Sequence, residues 1–274
     1  MWQGITTFTA VAALVFTALS LQATRDQVRL AEQGQVTDRF AKGVEQLGAT
    51  SLSVRLGAIY APERVARDSP PDQPAIIQVL TTFVRERAPR TPTEGDHRGC
   101  PKHTGITVQG TEPRLAADLQ AALTVLGRRD TGRDSGAIVD LRGACLSRAD
   151  LTGAHLPGAV LTGSVLEGVE GSHADLRGAS LDDVVATGAR LDSADLTGAT
   201  LSGTFDDAHF TETNLTGAHL EGSFAAHGTL FSATNLTDAT VDTVFPDAHV
   251  DHVHLAGAHT SRNAPVTALT IARR

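Results

Sequence analysis

Histidine and cysteine are the residues in this 274-residue chain whose types could carry metal or redox chemistry. His155, His209, His219, His249, His254 and His259 each stand one place before a position expected to face a core, and His252 lies close by. Neutral imidazole ligates zinc and titrates near physiological pH. His249, His254 and His259 follow one another at five-residue steps, however, which would turn them onto three successive sides of one coil. They read as solvated side chains in positions where Asp or Asn is commoner, with metal binding as the lesser alternative. Cys100 and Cys145 could pair, yet neither forms a metal or redox spacing, and a cytoplasmic location favours two free thiols. No Gly-rich phosphate loop, Ser-His-Asp motif or HExxH sequence is present. The expectation is no catalytic, cofactor-binding or metal residue, no cofactor, and no enzyme.

Charge says more. Residues 137–260 hold seventeen Asp and Glu against four Arg and no Lys, a net of −13. The rest of the chain is net +5, within a total of −8. Direct binding of the acidic stretch to nucleic acid or anionic lipid is therefore disfavoured, and a basic protein partner is compatible with it.

What positions these side chains is a leucine that returns every five residues. Of the thirteen fifth positions from 141 to 201, eleven are Leu: Leu141, Leu146, Leu151, Leu156, Leu161, Leu166, Leu176, Leu181, Leu191, Leu196 and Leu201. Gly171 and Ala186 are the exceptions, and nine of the residues two places earlier are Ala. On an α-helix five residues advance by about 500°, so the leucines would spiral around the axis. On a continuous strand an odd period would send alternate leucines to opposite faces. The chain must turn a corner once per repeat, as in a solenoid.

Units such as Ala149-Asp150-Leu151-Thr152-Gly153, Ala174-Asp175-Leu176-Arg177-Gly178 and Ala194-Asp195-Leu196-Thr197-Gly198 resemble the A(D/N)LXX motif of pentapeptide-repeat proteins. That resemblance implies a right-handed quadrilateral β-helix with four pentapeptides per coil. Residues 141–260 would make about six coils, a rod about 29 Å long at a strand spacing near 4.8 Å. The inward series continues through Phe205, Phe210, Leu215 and Leu220, then Phe231, Leu236 and Val241, then Phe245, Val250 and Leu255, with slips between the groups. Such slips read as bulges or corner changes, with the Phe rings stacked down one side; a functional loop near 224–229 is a lesser alternative.

The domain order that follows is mainly β behind a helical start. Residues 1–23 contain an uncharged apolar run, 4–23, long enough for a transmembrane helix; a signal peptide and a buried helix are the alternatives. Arg25, Arg29, Arg39 and Lys42 follow it with no basic residue before it, which places the soluble part in the cytoplasm of a single-pass cell-membrane protein. Residues 24–87 form an α-helical membrane-proximal module, with a helix from about Val54 that Pro62 should end or kink and another over 75–87. Residues 88–113 read as a linker, and 114–136 as a capping helix and connection in which Gly127 is a stop. The β-helix spans 137–260 and a tail 261–274. This order resembles the membrane-anchored pentapeptide-repeat proteins of actinomycetes, through Ala31-Glu32-Gln33-Gly34-Gln35-Val36-Thr37-Asp38-Arg39-Phe40, Val54-Arg55-Leu56-Gly57 and Phe83-Val84-Arg85-Glu86. The functional expectation is a membrane-anchored, non-catalytic scaffold for protein–protein interaction with an unknown, basic partner. The alternative is an acidic rod that imitates duplex DNA and binds a DNA-handling enzyme, as some pentapeptide-repeat proteins bind DNA gyrase.

Overall fold

The computed structural model describes residues 20–22, 41–68, 70–91, 99–100, 114–221, 228–242 and 248–260. The expected membrane span lies outside them, apart from the helical residues 20–22. No helix among the described residues is long and apolar enough to cross a membrane.

From Asp140 onward the backbone pairs with itself one coil later. Asp140 lies beside Val160, Cys145 beside Val165, Asp150 beside Glu170 and His155 beside Asp175, all in parallel. The interval is twenty residues, so each coil holds four five-residue units and presents four sides. Three backbone bonds join the first two coils at this unit: Leu141 N–H to the Val160 carbonyl (2.8 Å), Gly143 N–H to the Thr162 carbonyl (2.9 Å) and Val160 N–H to the Val139 carbonyl (3.0 Å). Between units the chain bends tightly, with Ala144 N–H returning to the Leu141 carbonyl at 3.2 Å. The residue before that donor, Gly143, takes φ 61°, the left-handed conformation that such a corner demands.

Regular strands appear only where the pairing lengthens: β1 (Ser180–Val185), β2 (Thr200–Thr204), β3 (His219–Leu220), β4 (Leu230–Ser232), β5 (Thr240–Val241) and β6 (His249–Asp251). One side carries the parallel order β1-β2-β3-β5 and another carries β4-β6. The slips in the repeat are changes in coil length. Arg190 pairs with His209 at an interval of nineteen, His209 with Leu230 at twenty-one, and Leu230 with His249 at nineteen again. The first deletion is absorbed where β1 and β2 shift register between Leu181 and Val184. Gly203, at φ 118°, lies so close to the Val184 backbone that any β-carbon would overlap it. Residues 222–227 and 243–247, where the other two changes fall, lie outside the described residues, as does most of the loop considered near 224–229.

The interior is apolar throughout. Leu141, Leu146, Leu151, Leu156, Leu161, Leu166, Leu176, Leu181, Leu191, Leu196, Leu201, Phe205, Phe210, Leu215, Leu220, Phe231, Leu236 and Val241 are all at most 4% exposed. Each contributes about 1.5–3 kcal/mol by burial. Val250 and Leu255 in the last coil are half-buried, and Phe245 is outside the described residues. At Gly171 the missing side chain is replaced by Leu191, whose Cδ2 would stand 2.9 Å from a β-carbon there. Phe210 and Phe231 stack one coil apart, with centroids 5.1 Å apart and planes 6° apart. Phe205 meets Phe210 at 5.9 Å and 44° from the adjoining side, which corrects the expected single file of rings. The reason is sequential: Phe205 and Phe210 belong to consecutive units, and consecutive units occupy adjacent sides.

Three helices precede the rod: α1 (Leu52–Asp68), α2 (Gln73–Arg87) and α3 (Ala117–Arg128). Ile59, Ile77, Leu80, Val84, Leu119 and Leu123 form their common core. At its heart the Asp118 carboxylate, 2% exposed, accepts from Arg55 Nε at 2.7 Å and Arg87 Nη2 at 3.1 Å. Arg55 also donates to the carbonyls of Ala49 and Thr50 at 2.8 Å. Removing one partner from such a buried cluster costs about 3–5 kcal/mol.

Two expectations about this region need correction. Pro62 lies inside α1, which continues to Asp68. It is buried and faces Gly43 of the helical stretch 41–47, and that packing offsets the backbone bond proline cannot make. Pro74 sits in the first turn of α2, where a missing N–H costs nothing. Gly127 is not a stop; it lies within α3 because a β-carbon there would fall 2.8 Å from Ala154 Cβ of the first coil. Arg129 closes the helix instead, donating to the Leu126 carbonyl at 2.7 Å.

The expected free thiols are also overturned, since Cys100 and Cys145 form a disulfide. Sequence spacing hid this pairing because the chain after α2 runs back along the first coil. Pro89 bridges Ala144 in antiparallel fashion, and Arg90 N–H bonds the Gly143 carbonyl at 2.7 Å.

The first coil has no coil before it, and the helical region supplies the missing partners. In later coils Val165, Glu170 and Asp175 donate to the carbonyls of Ala144, Ala149 and Ala154. In the first coil Cys145 N–H donates to the Ala88 carbonyl at 2.7 Å and His155 N–H to the Gly127 carbonyl at 2.8 Å. Asp150 N–H donates to Gln120 Oε1 at 2.9 Å, while Gln120 Nε2 donates to the Asp150 carbonyl at 2.7 Å. The Gln120 amide thus imitates the peptide group of an absent coil. Arg129 Nη1 does the same at His155, donating to its carbonyl at 2.6 Å. Replacing Gln120 with Met, which keeps the volume and removes the amide, leaves both groups of Asp150 unpaired. The expected loss in urea unfolding is about 1–3 kcal/mol.

Candidate interaction surface

Because coils stack in register, the outward residue of each unit falls into one of four columns. The first runs Asp140, Val160, Ser180, Thr200, His219, Thr240 and His259. The second begins Cys145, Val165, Val185 and Thr204. The third is Asp150, Glu170, Arg190, His209, Leu230 and His249, and the fourth His155, Asp175, Asp195, Asn214, Asn235 and His254. His249, His254 and His259 therefore stand on three different sides. Among the described residues no group of three or more His, Cys, Asp or Glu could hold a metal ion. His155, His219, His249, His252 and His254 are exposed, whereas His209 and His259 are half-buried.

The fourth column is a continuous polar ladder. Asp195, Asn214 and Asn235 each hold the backbone N–H and hydroxyl of the Thr two places on: Thr197, Thr216 and Thr237. Asn214 Nδ2 reaches Thr197 Oγ1 at 2.9 Å and Asn235 Nδ2 reaches Thr216 Oγ1 at 3.0 Å, stitching coil to coil. One coil earlier Arg177 replaces the Thr and donates to both oxygens of Asp175 at 2.7 Å. That guanidinium holds the Asp175 carboxyl below its ordinary value of 3.8, against the opposing effect of partial burial, and Asp175 in turn raises Arg177. On the first column Ser180 Oγ and Thr200 Oγ1 both donate to Asp182, at 2.7 and 3.0 Å.

Acidic corners stand beside these ladders. Asp182 and Asp183 follow Leu181 in one coil, and Asp206 and Asp207 follow Phe205 in the next. Sequence reasoning found the outward positions and the charge excess; it missed which acids are neutralised. Asp140 pairs with Arg85 and Arg142, and Asp175 with Arg177, whereas the Asp183 side chain, 82% exposed, has among the described residues only the longer 3.6 Å approach of Arg90 Nη1. A groove of about 800 Å³ lies where the helices meet the rod, lined by Tyr60, Arg114, Gln120, Arg148, Asp150 and Glu170. Its charges alternate in sign, and Gln120 and Asp150 are already paired with each other.

Residues 139–170 and 172–203 match the pentapeptide-repeat family profile, in eight copies. No curated protein sequence matches the chain significantly. Among solved structures, HetL, a pentapeptide-repeat protein involved in heterocyst differentiation regulation in the cyanobacterium Nostoc, is 24% identical over 47% of this chain and 73% of its own, with a TM-score of 0.29. A pentapeptide-repeat protein of the Arabidopsis thaliana thylakoid lumen is 34% identical over 37% of this chain and 60% of its own, at a TM-score of 0.19. QnrB1, a plasmid-mediated fluoroquinolone resistance protein, is 18% identical over 39% of this chain and 58% of its own, at 0.18. Residues 139–203 therefore carry pentapeptide repeats, and the rod that they build is a pentapeptide-repeat β-helix.

Replacing Arg177 with Met should move the Asp175 carboxyl titration upward, toward the ordinary carboxylate value, when followed by side-chain carbon NMR. Because the native carboxyl is depressed, its contribution to stability is complete above the unfolded value and disappears as pH falls through the folded one. The variant should lose less stability than the parent between about pH 5 and 2.

Proposed function

We propose that this chain is a membrane-anchored, non-catalytic scaffold whose acidic β-helical rod is a docking surface for a basic protein partner. The observation that carries the reading is the separation of inside from outside. The interior is filled by apolar side chains, while the outward columns and corners of 137–260 carry a net −13. A rigid surface of this kind supports recognition through charge complementarity, which governs specificity and encounter rate. Anchoring is proposed through the apolar run 4–23, with Arg25, Arg29, Arg39 and Lys42 favouring the cytoplasmic side of the cell membrane, a side on which the Cys100–Cys145 disulfide would meet reducing conditions. Direct binding of the rod to nucleic acid is not part of this reading.

Photo-crosslinking from position 212 of the full chain in native membranes should recover a reproducible partner. Charge reversal at Asp183, Asp206 and Asp207 should lower recovery at least tenfold, and added salt should weaken it. A recovery that ignores both changes argues against docking through the acidic corners. Removing residues 4–23 should release the chain from the membrane fraction.

One further observation favours a second reading. A net −13 over a rod about 29 Å long is one charge per about 2.2 Å, close to the about 1.7 Å of duplex DNA. The rod could on that ground serve as a DNA mimic that binds a DNA-handling enzyme such as DNA gyrase. A gyrase supercoiling assay decides it: inhibition at micromolar protein supports this reading, and unchanged activity removes it.

A further inference from the structure

Outside the rod, the three helices leave a cavity of about 310 Å³ between them. Its apolar walls are Ile76, Ile77 and Leu80 of α2 and Val125 and Leu126 of α3. Ligand cavities in proteins run from about 300 Å³ upward and are mostly apolar, with a few placed polar groups. An apolar cavity of about 150 Å³ accepts one benzene ring, so this one has room for about two. Gln73, the first residue of α2, lines the same space and is 3% exposed. Its Nε2 donates to the Asp130 carbonyl and to Asp134 Oδ1, both at 2.7 Å. Both partners are acceptors, so the amide stands only this way round. Asp134 is held in turn by Arg129, whose Nε and Nη2 lie 3.0 and 2.9 Å from its two oxygens. Both amide hydrogens of Gln73 are thus used, while its Oε1 accepts from no group among the described residues. A buried acceptor without a donor is costly, and this one borders a cavity.

We propose that this cavity is a binding site for a neutral, mostly apolar small molecule of about two-ring bulk that carries one N–H or O–H donor. The donor meets Gln73 Oε1, and the apolar body lies against the Ile, Leu and Val side chains of α2 and α3. Neutrality follows from the charged residues that line the cavity: Glu63 and Asp130 are balanced by Arg128 and Arg133, and Arg129 is paired with Asp134. An ion would gain no net attraction there and would lose its hydration. The need for a donor follows from the amide, which has acceptor capacity left and no donor capacity. The same wall completes the rod. Leu126 and Arg129 line the cavity, while Gly127 between them accepts from His155 N–H and Arg129 donates to the His155 carbonyl. A molecule bound there touches the residues that seat the first coil. The inference stands whether or not the rod's partner is basic.

The test sets indole, a two-ring N–H donor, against N-methylindole, which keeps the rings and lacks the donor. Both are titrated into the full chain with labelled Ile, Leu and Val methyl groups, followed by NMR. Indole should shift the signals of Ile76, Ile77, Leu80 and Leu126 saturably, while those of Leu196 and Leu215 in the rod stay in place. N-methylindole, although the more apolar of the two, should bind at least tenfold more weakly, because it leaves Gln73 Oε1 unpaired. Val125→Phe, which puts a ring into the cavity, should abolish the indole shifts in a chain whose rod signals are unchanged. If that variant does not fold, the two indoles decide alone. Indole shifts that do not saturate, or equal shifts at Leu196 and Leu215, would overturn the site. So would N-methylindole binding as tightly as indole, or a folded Val125→Phe chain that binds indole as the parent does.

Discussion

The hydrogen-bonded ladder between coils is the constraint on which everything else depends. Units inside the rod bond through the backbone both to the coil before and to the coil after, so no coil is complete alone. That makes the ends the difficult part of the design, since an uncovered rung leaves donors and acceptors unpaired and open to pairing with another chain. The helical region answers this at the first coil by three different means: a strand-like backbone at Ala88, a side-chain amide at Gln120, and a helix end at Gly127 with Arg129.

Those means work only if α1, α2 and α3 hold a defined arrangement, and the buried Asp118 cluster is what fixes it. Arg55 comes from α1, Arg87 from α2 and the carboxylate from α3, so a single polar contact joins all three helices. From there the order of dependence runs outward. The helices position Gln120 and Gly127, these complete the first coil, and the first coil sets the register of every outward column above it. The surface proposed as an interaction site is thus aligned by a carboxylate in another part of the chain.

Much of this was legible in the sequence because the repeat is so short. Five residues per corner fixed the inward positions from Leu141 to Val241, the side on which each histidine stands, and the acidity of the rod. What escaped had no periodic signal. Gly127 looks like a helix stop by type, and only the approach of Ala154 shows that it serves packing. Pro62 looks like a breaker until Gly43 is seen beside it. Gly203 absorbs a deletion because of where Val184 lies, which is a matter of register across coils. Cys100 and Cys145 are brought together by a chain reversal that local composition does not encode. On the surface, the positions of the charges were readable but their neutralisation was not. Asp175 is paired by Arg177, two residues on, and Asp183 is approached by Arg90 from the chain that follows α2, which no local pattern encodes.

The account rests on a first coil that is as well bonded as those that follow it, and backbone hydrogen exchange measures this most directly. The amides of Cys145, Asp150 and His155 should exchange as slowly as those of Val165, Glu170 and Asp175, their counterparts one coil on. Exchange of the first three at rates near those of an unprotected chain, with the second three still protected, would contradict it.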